Sequence, residues 1–206
     1  MARKISLDEG PVVRRAILDV GARLYSDRGF SATSIRDLAD VTGISSSTIY
    51  HHFSNKQEIL YEILRSFMQN FVAEIVPVLS EPTLSPSVRI TRAVGLHLEI
   101  SERDRLQLVI GSSVKSALSP EQNRTVSELQ RVYRQAFLAT ILDGIDQGEL
   151  EAAQPALTTS AVLDMLNGVR EWLHEGGSLT LEQIIAYYQG LALSMLGAAG
   201  TTTTNH

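Results

Sequence analysis

Residues 29–60 decide the fold, and they read GFSATSIRDLADVTGISSSTIYHHFSNKQEIL. Apolar residues recur here at spacings of three and four, which predicts one short helix from Ser34 to about Thr42 and another over 46–52. Both helices are too short to be stable alone, so they must pack together. Gly43 permits a sharp turn between them, as in a helix-turn-helix. The residues expected to lock the angle are Ile35, Leu38, Ala39, Ile44 and Ile49.

The outward side of the second short helix carries polar side chains that suit a DNA duplex. Short hydroxyl groups can approach base edges, and a threonine methyl can contact a thymine methyl. Tyrosine and histidine offer neutral donors to phosphate oxygens. Lys56 and Ser34 stand at helix N-termini, where backbone amides already favour phosphate. The side chains predicted to face outward are Ser45, Ser46, Ser47, Thr48, Tyr50, His51 and His52.

The glycine, hydroxyl, Tyr-His-His-Phe and Asn-Lys elements occur in the order that resembles the DNA-binding domain of the TetR family of transcriptional repressors. The resemblance covers about residues 10–60. It implies a homodimer of all-helical chains, each with a small DNA-binding head and a larger C-terminal ligand and dimerisation domain. For single residues it implies that Thr33 or Ser34 caps the first short helix and meets a phosphate there. Ser46, Ser47 and Thr48 would face bases, while Tyr50 and His51 would hold phosphates. Lys56 would clamp the DNA backbone, and Phe53 would be part of the core.

The composition of the chain excludes several classes of protein. Its 206 residues contain no cysteine, which rules out thiolate nucleophiles and thiolate metal sites and suits a reducing cytosol. No run approaches the roughly 18 apolar residues that cross a bilayer, and no apolar run of a signal peptide follows the N-terminus. We therefore expect a cytoplasmic protein that has no membrane partner, metal or cofactor.

Charge is distributed unevenly along the chain. Residues 1–65 contain nine lysines and arginines against eight acidic residues, whereas residues 66–206 contain nine against fifteen. A nearly neutral head on an acidic body leaves room for a local basic surface, and helix N-termini add positive potential that formal charges do not count. The net charge of −5 therefore does not decide for or against DNA binding.

The whole chain is predicted to be all-α, with about nine helices. The first helix runs from about Pro11 to Arg28, and a capping box of Ser54 and Gln57 opens a long helix that Pro77 and the Pro82/Pro86 stretch break. Ser119 and Thr180 open later helices in the same way. The remaining helices are expected at about 87–101, 104–118, 120–146, 155–175 and 181–198. We expect a DNA-binding domain over 1–54, an effector and dimerisation domain over 55–199, and a disordered tail over 200–206.

The last two helices are the predicted dimer interface, because two heads on one palindrome double the base contacts of one head. Each helix has an apolar face, and small residues at Gly190, Ser194 and Gly197 would allow close approach. The alternative is that these faces serve only the core of one chain. The faces comprise Val162, Met165, Leu166, Val169, Trp172 and Leu173, and Leu181, Ile184, Ile185, Tyr188, Leu191, Ala192 and Met195.

The middle helices are expected to hold a mostly apolar small molecule, since aromatic and methionine side chains with a few polar groups suit such a ligand. The alternative for most of these residues, His97 included, is plain core. Arg131, Arg134 and Arg170 could serve an anionic group on the ligand. The candidate lining residues are Phe67, Met68, Phe71, Leu96, His97, Ile100, Val109, Tyr133, Phe137, Met165 and Trp172.

We expect a repressor that an effector releases from a palindromic operator. The helix opened by Ser54 carries Lys56 near its start and Phe67 and Phe71 further along, so a shift at the effector would change the separation of the two heads. Such heads fit successive major grooves only at about 34–36 Å. Activation, or a ligand that acts as corepressor, remains an open alternative.

Two other classes compete with a regulator. For an enzyme the sequence lacks a Gly-x-Ser-x-Gly elbow, a Gly-x-Gly-x-x-Gly turn, a phosphate loop and a His-Glu-x-x-His helix. His51 and His52 are adjacent, so on a helix they diverge by about 100° and cannot bind one metal from one face. A helical adaptor that binds only proteins would explain the C-terminal faces, but it leaves the hydroxyl and Tyr-His-His residues without a role.

Overall fold

The computed structural model describes residues 10–113, 117–173 and 178–198. Over those ranges it contains nine α-helices, a 3-10 turn at Val169–Glu171 and no strand. The predicted all-α fold is therefore confirmed. The helices are α1 (Gly10–Arg28), α2 (Ile35–Thr42), α3 (Ser46–His52), α4 (Lys56–Leu79), α5 (Pro86–Arg103), α6 (Arg105–Ser113), α7 (Pro120–Asp146), α8 (Pro155–Gly168) and α9 (Leu181–Met195).

The chain divides into two compact units. The first comprises Met1–Met68 and Leu106–Val126, and the second comprises Gln69–Arg105 and Ser127–His206. The first unit extends past residue 54 because the apolar start of α4 packs in the same core as α1, α2 and α3. The functional division at residue 54 stays a prediction, and the predicted tail lies outside the described residues.

The first unit is built around side chains that the helical spacing had placed inward. Ile17, Leu38, Ile49 and Phe53 are almost completely buried, together with the apolar start of α4. Gly21 marks the close approach of α1 to α4, since a Cβ built there would lie 3.1 Å from Cγ2 of Ile59. Small size at Gly21 therefore fixes how α1 lies on α4.

Side-chain caps form the starts of most helices, and the structure corrects the predicted cap of α4. The boxes at Ser119 and Thr180 are confirmed: Ser119 Oγ accepts from the amide of Gln122 at 3.2 Å, and Thr180 Oγ1 accepts from that of Gln183 at 3.2 Å. The predicted Ser54 and Gln57 box is wrong. Asn55 Oδ1 accepts from the amide of Glu58 at 2.9 Å, and the Glu58 carboxylate accepts from the amide of Ser54 at 2.6 Å. Asn55 and Glu58 therefore make the capping bonds that were predicted for Ser54 and Gln57, each one position further along the chain.

Of the prolines predicted to end α4, Pro77 does not break the helix, which does end before Pro82. It lies inside the helix, which continues to Leu79. Pro77 removes one backbone donor, and only two helical residues follow it. The carbonyl of Leu79 is then satisfied by Nη1 of Arg89 at 3.1 Å and Oγ1 of Thr140 at 3.0 Å.

In the second unit α9 packs mainly against α5. The contact is close at Gly95, where an added Cβ would lie 3.1 Å from Nε2 of Gln189. The same amide nitrogen donates to the carbonyl of Thr91 at 2.9 Å. A residue larger than glycine at position 95 would therefore displace the Gln189 amide that donates to Thr91.

Part of the apolar faces predicted for a dimer seam is buried inside the chain, and the seam itself stays a prediction. Their central residues are buried in the second unit, because α8 and α9 pack on each other and on α5. The outward face of α9 instead carries Ala186, Tyr187 and Ser194, with Gly190 half-buried between them. The inward residues are Val162, Leu166, Val169, Ile184 and Ala192.

Candidate functional site

Helix α3 turns one polar face outward on a rigid base. Ile49 and Phe53, which follows the helix, are buried in the first unit. Opposite Ile49 the side chains of Ser47, Tyr50 and His51 are exposed, and Tyr50 retains 56% of its surface. Ser46, Thr48 and His52 are half-buried at the flanks of this face. The structure therefore places the predicted hydroxyl and Tyr-His-His side chains on or beside one accessible surface.

The hydroxyl groups at the start of α3 form a local cluster. Ser45 caps the helix, since its Oγ accepts from the amide of Thr48 at 3.1 Å. The same oxygen lies 2.8 Å from Oγ of Ser47 and 2.9 Å from Oγ1 of Thr48. Each hydroxyl can donate as well as accept, so the cluster can meet either kind of base edge.

The start of α2 is capped by Ser34 but already holds a carboxylate. Ser34 Oγ accepts from the amide of Asp37 at 3.2 Å, and the Ser34 amide donates to Asp37 Oδ2 at 2.7 Å. Hydrogen bonds from Ser34, with Arg28 nearby, lower the pKa of Asp37 below its usual value. The carboxylate is thus ionised at neutral pH and shares this terminus with any incoming phosphate.

Thr33 does not lie on the surface, which corrects its assignment to DNA. It is 1% exposed, and its hydroxyl donates to the carbonyls of Gly29 at 2.9 Å and Leu24 at 3.3 Å. These carbonyls stand where α1 ends and need donors. Thr33 therefore closes the end of α1, and Ser34 alone caps α2.

The side chain of Lys56 turns inward rather than outward. Its Nζ donates to the carbonyls of Phe30 at 2.9 Å, Ser31 at 3.4 Å and Thr33 at 2.9 Å, and it lies 4.5 Å from the centroid of the Phe30 ring. Lys56 is thus engaged with the turn between α1 and α2. A direct contact between Lys56 and phosphate stays a prediction.

Arg14 packs on the end of α3, a contact that sequence reasoning missed. Its guanidinium lies 5.0 Å from the centroid of the Phe53 ring, at the end of α3, and forms an ion pair with Glu62 at 2.5 Å. Partial burial and the charges of His51 and Arg14 lower the pKa of His52, so its imidazole is neutral at pH 7. No sequence signal joins Arg14 to Phe53 or Glu62, because the contacts are long-range.

An aromatic cluster with two polar groups lies inside the second unit. His97 Nδ1 lies 2.9 Å from the hydroxyl of Tyr133, and the Phe71 ring stands edge-on to both rings at 5.1 Å. Phe137 lies 6.0 Å from Tyr133. Burial, and to a smaller extent Arg170, lowers the pKa of His97 to about 3, while burial raises the pKa of Tyr133. Both groups are neutral at physiological pH and suit an uncharged polar partner.

The other predicted effector residues are distributed over both units. Phe67 and Met68 belong to the first unit, where Met68 packs on the helix-turn-helix core. Ile100 is buried and Leu96 and Met165 are half-buried in the second unit, whereas Trp172 is 47% exposed and faces Tyr188. The side chain of Val109 lies outside the described residues.

The arginines considered for an anionic ligand have other neighbours in the structure. Arg131 pairs with Glu128, Arg134 donates to Ser160 at 2.9 Å, and Arg170 pairs with Glu171 at 3.0 Å. Of these three arginines, Arg170 is the one that lowers the pKa of His97. In the part of the chain that the structure describes, no three histidine, aspartate or glutamate side chains are grouped to hold a metal ion. None of the described helices combines the length and apolarity that a bilayer crossing requires.

Comparison with known proteins matches both parts of the chain to family descriptions. Residues 17–63 match bacterial regulatory proteins of the tetR family, and residues 83–196 match the tetracyclin repressor-like C-terminal domain. The transcriptional repressor KstR2 of Mycolicibacterium smegmatis is 29% identical over 189 residues, covering 89% of this chain and 90% of that protein.

Solved structures agree with those matches. PfmR, a TetR family regulator from Thermus thermophilus, is 31% identical with a TM-score of 0.81, covering 86% of this chain and 97% of that one. The ketosteroid transcriptional regulator KstR2 of Mycobacterium tuberculosis is 25% identical with a TM-score of 0.79, covering 89% and 94%.

Proposed function

Because the chain belongs to the TetR family of bacterial regulatory proteins, we propose that it is a repressor released from a palindromic operator by a mostly apolar small molecule. As a member it is a ligand-responsive, DNA-binding transcriptional regulator that acts as a dimer. The observation that carries the proposal is the outward polar face of α3, held on a buried base by Ile49 and Phe53. We also infer that it has no catalytic role and works in the cytoplasm, where its operator lies.

At the DNA surface, Ser46, Ser47 and Thr48 read base edges, while Tyr50 and His51 contact phosphates. The exposure of Ser47, Tyr50 and His51 supports this division, since these side chains reach outward without rearrangement. Two copies of the head would meet half-sites about 34–36 Å apart. Phosphate contacts position the head, and base contacts select the sequence.

Selection of bound sequences from random duplex DNA tests this half of the proposal. We expect a palindrome to be recovered. Ser47→Ala should change which bases are enriched, whereas Tyr50→Phe should weaken binding to all recovered duplexes alike. Failure to enrich any sequence, with no salt-dependent binding to duplex DNA, would contradict the proposal and favour a protein adaptor.

For the effector, the cluster of Phe71, His97, Tyr133 and Phe137 is the proposed site. Its two polar groups, 2.9 Å apart among aromatic rings, can exchange their mutual hydrogen bond for bonds to one polar group of an otherwise apolar ligand. The name of the relative KstR2, a ketosteroid regulator, makes steroid-derived compounds the first to test.

A compound that binds this site should raise the Tm of the protein and release operator DNA in the same concentration range. Tyr133→Phe keeps the ring but removes the hydroxyl, so it should weaken the effector by about tenfold, the effect expected for one buried hydrogen bond. Tyr61→Phe, which removes a phenol from the first unit, is the control. If both variants respond to the compound like the unmodified protein, the histidine–tyrosine pair is not its polar contact.

A further inference from the structure

The turn between α1 and α2 is closed by a residue from α4. Three backbone carbonyls of this turn, those of Phe30, Ser31 and Thr33, converge on the Nζ of Lys56 at 2.9, 3.4 and 2.9 Å. An ammonium group has three donors and no acceptor, so all its hydrogen bonds are directed to the turn. Lys56 therefore has no proton left for a phosphate in this geometry.

Other contacts hold the lysine and the turn together. The ammonium lies 4.5 Å from the centroid of the Phe30 ring, a cation–π distance. Tyr25 stands edge-on to the same ring at 5.2 Å, and its hydroxyl donates to the carbonyl of Lys56 at 3.2 Å. The first residue of α4 is thus bound to the turn through its side chain and to the end part of α1 through its backbone.

The turn leads directly into the part of α2 that approaches DNA. Thr33, one of the three acceptors, is followed by Ser34, which caps α2. The position of this helix start depends on the path of residues 29–33, and those residues contain no helix or strand that could fix the path by itself. The lysine adds a further constraint, because it gives donors to the carbonyls of Ser31 and Thr33 and to that of Phe30, which also accepts from the Thr33 amide at 3.3 Å.

We propose that Lys56 is a positioning residue for DNA binding and does not itself bind phosphate. It holds the turn at 29–33 in place. Through this turn it fixes the start of α2, from which Ser34 meets the duplex. This inference rests on the proposed function as a DNA-binding repressor. It replaces the backbone clamp that family resemblance implies for this position.

The salt dependence of DNA binding separates the two roles. The logarithm of the DNA-binding constant falls linearly with the logarithm of the salt concentration. Each phosphate contact that is lost makes this slope less steep by about 0.9, so a dimer that loses two contacts should change by about 1.8. We expect Lys56→Met to weaken binding to a labelled duplex, recovered by selection, by roughly tenfold, with the slope between about 50 and 200 mM salt unchanged. A slope reduced by about 1.8, or an unchanged affinity, would overturn the proposal.

A second variant tests the turn without removing a charge. Phe30→Leu removes the ring beneath the ammonium, and it should also weaken binding at constant slope. Because both side chains act through one turn, the double variant should lose less than the product of the two single losses. If the loss of affinity in the double variant equals the product of the two single losses, the two side chains act independently and the proposal is overturned.

Hydrogen exchange of the DNA-free protein gives a readout that does not depend on DNA binding. The amides of residues 29–35 should exchange faster in Lys56→Met, at least tenfold, than in the unmodified protein. Arg36→Gln, which removes one exposed charge from α2, is the matched control and should leave this exchange unchanged. Unchanged exchange in Lys56→Met would refute the positioning role, whereas faster exchange in a protein that binds no duplex would refute only the proposed function.

Discussion

Single polar side chains in this protein are divided between the outer surface and the support of turns. Thr33 and Ser34 are neighbours with hydroxyl groups, yet Thr33 is buried and Ser34 is exposed. The inward hydroxyl reaches two carbonyls at the end of α1, and the outward one caps α2. One residue of difference along the chain therefore separates a structural role from a candidate DNA contact.

Replacing Thr33 by valine should lower the free energy of unfolding by about 1–2 kcal/mol. The change keeps the shape of the side chain but leaves the carbonyls of Leu24 and Gly29 without their donor, and buried unpaired groups cost about this much. Urea unfolding measures the effect. Ser31→Ala, at an exposed side chain in the same turn, should change stability by less than about 0.5 kcal/mol; equal effects would contradict the burial argument.

His97 should make the protein sensitive to acid. Its pKa is about 3 in the folded chain against 6.5 ordinarily, so below pH 6.5 the unfolded chain binds a proton that the folded chain does not. The stability that neutral His97 contributes is complete above pH 6.5 and is lost as the pH falls toward 3, by up to about 1.4 kcal/mol per pH unit.

Urea unfolding at several pH values measures this dependence. His97→Gln should flatten the pH profile below pH 6.5, because a group that does not titrate replaces the imidazole. Tyr133→Phe retains the histidine and should retain the acid dependence. A profile that His97→Gln leaves unaltered would show that the imidazole is not the group responsible.

At the scale of helices, α1 and α4 are joined by one carboxylate between two arginines. Glu62 of α4 accepts from Arg14 of α1 at 2.5 Å and from Arg65 at 2.8 Å. Burial alone would raise the pKa of Glu62, but the hydrogen bonds from Arg65 and Arg14 lower it below its usual value. Since Arg14 also lies over the Phe53 ring, this ionic contact reaches the end of α3.

Glu62→Gln should destabilise the protein by about 1–2 kcal/mol at neutral pH, because it removes a charged acceptor from two donors. The folded-state pKa is lowered, so the contribution of Glu62 is present above its ordinary pKa of 4.5 and is lost as the pH falls through the lower folded value. The two proteins should therefore converge in stability in acid. Asp19→Asn removes the exposed pair with Arg15 and is the control, with an expected change below about 0.5 kcal/mol.

At the scale of the whole molecule, the dimer needs a surface that the chain does not use for its own core. The outward face of α9 meets that need, because Ala186 and Ser194 are small and exposed, with Tyr187 beside them. Small residues let two helices approach closely. We therefore predict that the seam runs along this face, on the opposite side of α9 from Ile184 and Ala192.

Ala186→Arg should yield a monomer, since it places a charged side chain where two helices are expected to meet. Light scattering after size exclusion should give the mass of one chain, 22.6 kDa, and operator affinity should fall because one head reads only one half-site. Gln135→Arg places the same charge on an exposed position of α7 and should leave the dimer intact. A dimer that persists in Ala186→Arg would contradict this seam.

The sequence by itself determined the features that depend on neighbours within four residues. The helix-turn-helix around Gly43, the outward polar face of α3 and the caps at Ser119 and Thr180 were all predictable, because helical spacing and cap chemistry are local. The cap of α4 was misplaced by one residue, since Ser54 and Asn55 offer equivalent local signals.

Only the tertiary structure decided what meets across long separations. It paired Lys56 with the turn at 29–33, Arg14 with Glu62, and His97 with Tyr133. It also decided which sides of α8 and α9 lie inward, because a helix with apolar residues on two sides is compatible with a core or with a dimer seam. Side-chain partners depend on where the elements pack, and packing is a property of the folded chain as a whole.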